Sequence, residues 1–146
     1  MNDFAELNQA VDSFCQFVES LPQKELTRKT WGPKSILAHL VYYHELYTKQ
    51  AQACLDRKPI KLYDGTYRDL NAQIAERWRD VPIEKLVRRF KSANRRLGKI
   101  YATHDPRLVL VPIKQGVKPY PLAKLVPEVA AHVRNHQRQM KKELRV

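Results

Sequence analysis

The sequence predicts an all-α fold, a single bundle of four main helices with the third helix region broken near Pro82. Three observations carry that expectation. Apolar residues recur at steps of three and four over four long stretches, the spacing of one helix face. Prolines mark the joints between those stretches, at Pro22, Pro59, Pro82 and across 105–121. The chain has 146 residues, 43% hydrophobic and 29% charged, which suits one domain spanning 1–146 with a modest core.

The first helix is expected over 4–21, where Phe4, Leu7, Val11, Phe14, Val18 and Leu21 form one stripe and Pro22 ends it. One further turn over 23–27 leads into a loop around Trp31 and Gly32. Pro33 then suits the first turn of a long helix, because the backbone N–H it lacks would have no partner there. That second helix runs to about Asp56. Its inward stripe is Ile36, His39/Leu40, Tyr43, Leu46/Tyr47, Gln50 and Cys54, with His44 on the Leu37–Val41 flank. A loop around Pro59 and Asp64-Gly65 follows. Leu70, Ile74 and Trp78 continue the helical pattern over 67–79, Asp80-Val81-Pro82 breaks it, and Asp80 reads as a cap. Residues 83–101 are two-sided, with Ile83, Leu86, Val87, Phe90, Ala93, Leu97, Ile100 and Tyr101 on one arc. The proline-rich segment 105–121 reads as irregular, with 108–111 briefly extended, and is apolar enough to pack on the bundle. The last helix spans about 122–144. Its stripe is Leu125/Val126, Val129, His132/Val133, His136 and Met140, and Pro127 lies in its first turns.

Composition narrows the function classes. No apolar run approaches the roughly 18–20 residues of a membrane helix, and the start Met-Asn-Asp-Phe-Ala-Glu-Leu lacks the pattern of a signal peptide. A cytoplasmic location is therefore expected. Two cysteines, Cys15 and Cys54, are too few for a disulfide framework and read as buried free thiols. The net charge is +12, yet residues 1–20 contain Asp3, Glu6, Asp12 and Glu19 and no Lys or Arg. The surplus favours anionic partners. Lys85, Arg88, Arg89, Arg95, Arg96 and Lys99 share the polar arc of 83–101 and suit either phosphate neutralisation or plain solvation. The aromatic residues there point the other way, unlike most nucleic-acid readers.

His132 and His136 stand four residues apart, one above the other on a helix. Two imidazoles so placed can share one metal ion at about 2.0–2.1 Å. His39, on the inward stripe of the second helix, supplies a third ligand if the two helices are neighbours. A three-ligand site keeps an open position for chemistry. Zinc, nickel, copper and iron(II) all suit neutral imidazole. The plain alternative is two surface histidines and one core histidine. Tyr42, Tyr43, Tyr47, Tyr63 and Tyr67 cluster around the second helix. Tyr43, one turn from His39, suits hydrogen bonding to a bound water or a core position whose hydroxyl finds a partner. The chain has no Gly-x-Ser-x-Gly, P-loop, Gly-rich dinucleotide turn or Cys-x2-Cys.

The run Leu26-Thr27-Arg28-Lys29-Thr30-Trp31-Gly32-Pro33-Lys34-Ser35-Ile36-Leu37-Ala38-His39-Leu40 resembles the opening of the second helix in the DinB/YfiT-like bundle superfamily. Asp64-Gly65-Thr66, Leu70-Asn71 and Ser92, Leu97 and Ile100 resemble its ClbS/DfsB branch, associated with self-protection against the genotoxin colibactin. The resemblance implies a DinB-like four-helix bundle and a homodimer. In metal-binding members it implies a divalent ion, such as zinc or nickel, on one histidine of the second helix and a His-x3-His pair of the last. His39, His132 and His136 match those positions. The ClbS/DfsB branch typically ends its last helix with a His-Tyr-x-Trp-like pattern, which Val133-Arg134-Asn135-His136 replaces here. The expected function is a cytoplasmic detoxification or self-protection enzyme, a metal-dependent hydrolase or thiol transferase acting on a small electrophile. Tyr43 and His44 are the candidate proton-transfer groups. The alternative is a non-catalytic module that sequesters a toxin or binds nucleic acid or another anion through the basic face.

Overall fold

Helical periodicity is realised along nearly all of its expected length in the structure, a computed structural model that describes residues 3–26, 32–58 and 61–144. Six helices follow in order: α1 (Asp3–Ser20), α2 (Gln23–Leu26), α3 (Pro33–Asp56), α4 (Tyr67–Arg77), α5 (Ile83–Thr103) and α6 (Leu122–Leu144). Two short strands, β1 (Leu110–Val111) and β2 (Tyr120–Pro121), pair antiparallel just before α6. The fold is all-α apart from that pair. Trp31 and Pro59, around which two loops are expected, lie outside the described residues, as does the Thr27–Trp31 part of the family-like run.

α1 packs along α6, and α3 packs along α5. α1 also meets α5, and α3 meets α6 more sparingly, so the four long helices form a ring. Its centre holds Leu7, Phe14, Leu37, Leu86, Phe90, Leu97, Leu122 and Met140, all fully or nearly fully buried. Phe14 and Phe90 meet edge to face with centroids 6.3 Å apart, a favoured aromatic geometry. The segment between α5 and α6 is not a free linker. Val109, Val111 and Ile113 are buried, and the Leu110 amide reaches Cys54 Sγ at 3.4 Å. The Gln115 amide donates to the Tyr63 carbonyl at 3.1 Å, tying this segment to the loop before α4.

Caps explain the boundaries and one correction. Pro33 stands in the first turn of α3, behind Gly32. α4 opens on Thr66, whose hydroxyl accepts from the Asp69 amide at 3.1 Å, a standard N-cap. The expected cap at Asp80 does not form. α5 begins at Ile83, so its capping position falls on Pro82, and no side chain caps it. Asp80 lies two residues too early and stays exposed, beside Arg79 Nε at 3.9 Å. The break at Pro82 therefore separates two helices, α4 and α5.

Burial departs from the expectation at Cys54 and His44, while Gln50 is buried as its place on the inward stripe predicts. Cys54 is half-buried, whereas Cys15 is fully buried. His44, expected on a flank, is 1% exposed. Gln50 is equally buried, and among the described residues neither atom of its amide has a hydrogen-bond partner. An orphaned buried amide costs about 1–3 kcal/mol. Gln50→Met keeps the chain length and removes the polar atoms. It is expected to raise stability by about 1 kcal/mol or more, measured as a higher urea midpoint. A lower midpoint would show that the amide is satisfied.

Candidate metal centre

The helix ring brings the three histidines together. α3 carries His39 and α6 carries His132 and His136, one turn apart. Ring centroids are 5.9 Å apart for His39–His132, 5.6 Å for His39–His136 and 4.4 Å for the α6 pair. One nitrogen from each ring lies within 4.8 Å of the others. The two α6 rings face each other through Nε2 atoms 3.0 Å apart. At that separation one ring N–H can donate to the lone pair of the other. Two ligands on a tetrahedral zinc ion at 2.0–2.1 Å are about 3.3–3.4 Å apart, so small side-chain movements would close the three rings on a common centre. His132 is exposed and His136 half-buried, while neighbouring Val133 is fully buried. The expected His132/Val133 stripe thus divides, with Val133 in the core and His132 at the solvent edge.

Asn71, on α4, organises the α3 side of the site. Its Oδ1 lies 3.0 Å from His39 Nδ1 and accepts from the Tyr43 hydroxyl at 3.2 Å. A carbonyl oxygen only accepts, so the His39 Nδ1 carries the proton and Nε2 carries the lone pair. Histidines that bind metals are commonly oriented by such a second hydrogen bond. Burial lowers the His39 pKa to about 4, outweighing the Asn71 hydrogen bond, which raises it. Burial, reinforced by His132 and His39, lowers His136 to about 4. Burial also lowers His132. All three rings are therefore held in the neutral form that ligates metals.

A cavity of about 350 Å³ adjoins the triad, within the size range of small-molecule sites. His39, His132, Tyr43, His44 and Asn71 contribute to its wall, with Tyr47, Tyr67 and Tyr120 around it and Leu40, Leu125, Val129 and Val133 on its apolar side. Tyr43 sits beside His39, ring centroids 4.9 Å apart. Burial raises its pKa, so its phenol keeps the proton that it gives to Asn71. His44 turns Nε2 to Asn94 Oδ1 at 3.0 Å and packs edge-on to Phe90 at 5.0 Å. Asn94 is fixed in turn by Asn8, whose Oδ1 accepts from its Nδ2 at 2.6 Å. Hence the His44 proton is on Nε2 and its lone pair on Nδ1.

The basic arc of α5 lies apart from this cavity, and one of its six cations is engaged. Arg89 makes a bidentate pair with Glu45 at 2.6 and 2.9 Å and lies 4.5 Å from the Trp78 ring centre. Lys85, Arg88, Arg95, Arg96 and Lys99 are exposed. Asn71, Asn94, Tyr120 and Glu128 were not singled out for a role by sequence reasoning. The available signal was an amide beside an apolar stripe, Asn71 next to Leu70 and Asn94 next to Ala93. No described helix is long and apolar enough to cross a membrane. Comparisons of the chain with protein-family models, with curated proteins and with solved structures returned no match.

The buried histidine makes stability pH-dependent. Burial lowers the His44 pKa from 6.5 to about 4. Between those values the unfolded chain binds the proton and the folded protein does not. Stability is therefore full above about pH 6.5 and is lost as pH falls toward 4. From pH 7 to pH 5 the loss due to His44 is expected to be on the order of 1–2 kcal/mol, read from urea midpoints. His44→Gln should flatten that part of the profile. A wild-type midpoint that holds or rises on acidification would contradict the assignment.

Proposed function

We propose that this chain is a DinB-like detoxification or self-protection enzyme, acting on a small electrophile with a divalent ion on His39, His132 and His136. The reaction proposed is addition of water or a thiol. The observation that carries the reading is three neutral imidazoles, from two helices, converging beside a cavity of about 350 Å³. A zinc or nickel ion bound there would lower the pKa of a water or thiol enough to make it nucleophilic near neutral pH.

The chain's own residues do the rest. Asn71 holds His39 in the tautomer whose lone pair is on Nε2. Tyr43 steadies Asn71 and lines the cavity with its ring. His44, in the cavity wall, offers Nδ1 as a proton acceptor, because Nε2–H is committed to Asn94. Leu40, Leu125, Val129 and Val133 keep water from one side of the cavity. The proposal includes a cytoplasmic location, in keeping with two free cysteines, and the homodimer that the family resemblance implies.

Metal analysis tests the reading directly. After exposure to zinc or nickel and removal of free ion, wild type is expected to retain about one ion per chain, and His132→Ala to lose it. A wild type that holds no more metal than His132→Ala would end the proposal. Asn71→Ala leaves all three ligands in place but removes the hydrogen bond that His39 Nδ1 makes to the Asn71 amide. Its zinc affinity is expected to fall roughly 10–100-fold, measured by competition with a chromophoric chelator. An unchanged affinity would remove Asn71 from the account.

A further inference from the structure

The wall of the cavity combines aromatic rings with one acidic side chain. Tyr43 and Tyr47 come from α3, Tyr67 opens α4, and Tyr120 lies on β2. Tyr43 stands 6.3 Å from Tyr47 and 6.4 Å from Tyr67, centroid to centroid. Three separate elements thus bring four phenol rings to one space. Burial raises the pKa of Tyr43, Tyr47 and Tyr67, so these rings carry no charge at neutral pH.

Among the described residues, Glu128, which is exposed, is the one acidic side chain in that wall, and no lysine or arginine lines it. This is notable in a chain of net charge +12. Two lysines approach the same aromatic group from elsewhere. Lys114 Nζ lies 5.2 Å from the Tyr67 ring centre, and Lys124 Nζ lies 5.8 Å from that of Tyr120. Neither lysine lines the cavity, yet both show these rings engaging an ammonium through their faces, where the ring quadrupole is negative.

We propose that the cavity binds a small organic cation, an ammonium compound with an apolar or aromatic body, caged by Tyr43, Tyr47, Tyr67 and Tyr120 and countered by Glu128. Aromatic cages suit alkylated ammonium groups because the cation is weakly hydrated and several ring faces can meet it at once. The apolar wall formed by Leu125 and Val129 would take the body of the molecule. The proposal deepens the functional reading, since it names the substrate class of the same cavity, but binding itself needs no metal.

Calorimetric titration in chelator, with the full chain, separates the two. Benzyltrimethylammonium, benzyl alcohol and phenylacetate present a similar ring with positive, neutral and negative polar ends. The cation is expected to bind about tenfold or more tightly than either of the others. Glu128→Gln and Tyr120→Leu should each remove most of that preference. Equal or tighter binding of benzyl alcohol or phenylacetate would overturn the proposal, as would an undiminished preference in Glu128→Gln. Because the titration is metal-free, it can fail while wild type retains zinc, or succeed while wild type holds none.

Discussion

One oxygen atom, Asn71 Oδ1, connects the parts of this site. It lies 3.0 Å from His39 Nδ1 and accepts from the Tyr43 hydroxyl at 3.2 Å. These contacts tie α4 to α3 across a loop whose other side is held by the 105–121 segment through Tyr63 and Gln115. They also decide the chemistry of His39, because the proton on Nδ1 leaves the lone pair on Nε2. The triad is then a set of neutral donors rather than a group of cations repelling one another. Without the amide, His39 would keep its place on the helix but lose this acceptor for its Nδ1 proton.

The protein uses the same device twice. His44 is fully buried, and Asn94, itself fixed by Asn8, sets its tautomer. In both cases an amide oxygen accepts a hydrogen bond from a ring N–H and burial keeps the ring neutral. Such networks rigidify a core when they are satisfied. Their cost appears in acid, where each ring gains a proton more readily in the unfolded chain. Gln50 is the contrast: an equally buried amide with no partner among the described residues.

The helices and the pairing of His132 with His136 were legible in the sequence because both rest on periodicity, whereas the arrival of His39 beside them was expected from the family resemblance. Stripes at steps of three and four located α1, α3, α5 and α6 to within a few residues, and the four-residue step of His132 and His136 put them on one face. What periodicity does not encode was missed. Asp80 read as a cap because its residue type suits one, but Pro82 stands next to the helix start and takes the position. Arg89 read as one of six cations on a polar arc, yet Glu45 of α3 and Trp78, just after α4, engage it. Asn71 carried no visible role, since its partners lie 28 and 32 residues away in sequence. Pairings of that range depend on how helices dock, not on local pattern.

The central claim is that His39, His132 and His136 act as one ligand set. X-ray absorption of the zinc-loaded protein counts imidazoles at the ion directly. The account predicts three histidine rings, with zinc–nitrogen distances of about 2.0–2.1 Å and a fourth light-atom ligand, and two rings in His39→Ala. A wild-type spectrum with two or fewer imidazoles, or one unchanged in His39→Ala, would contradict it.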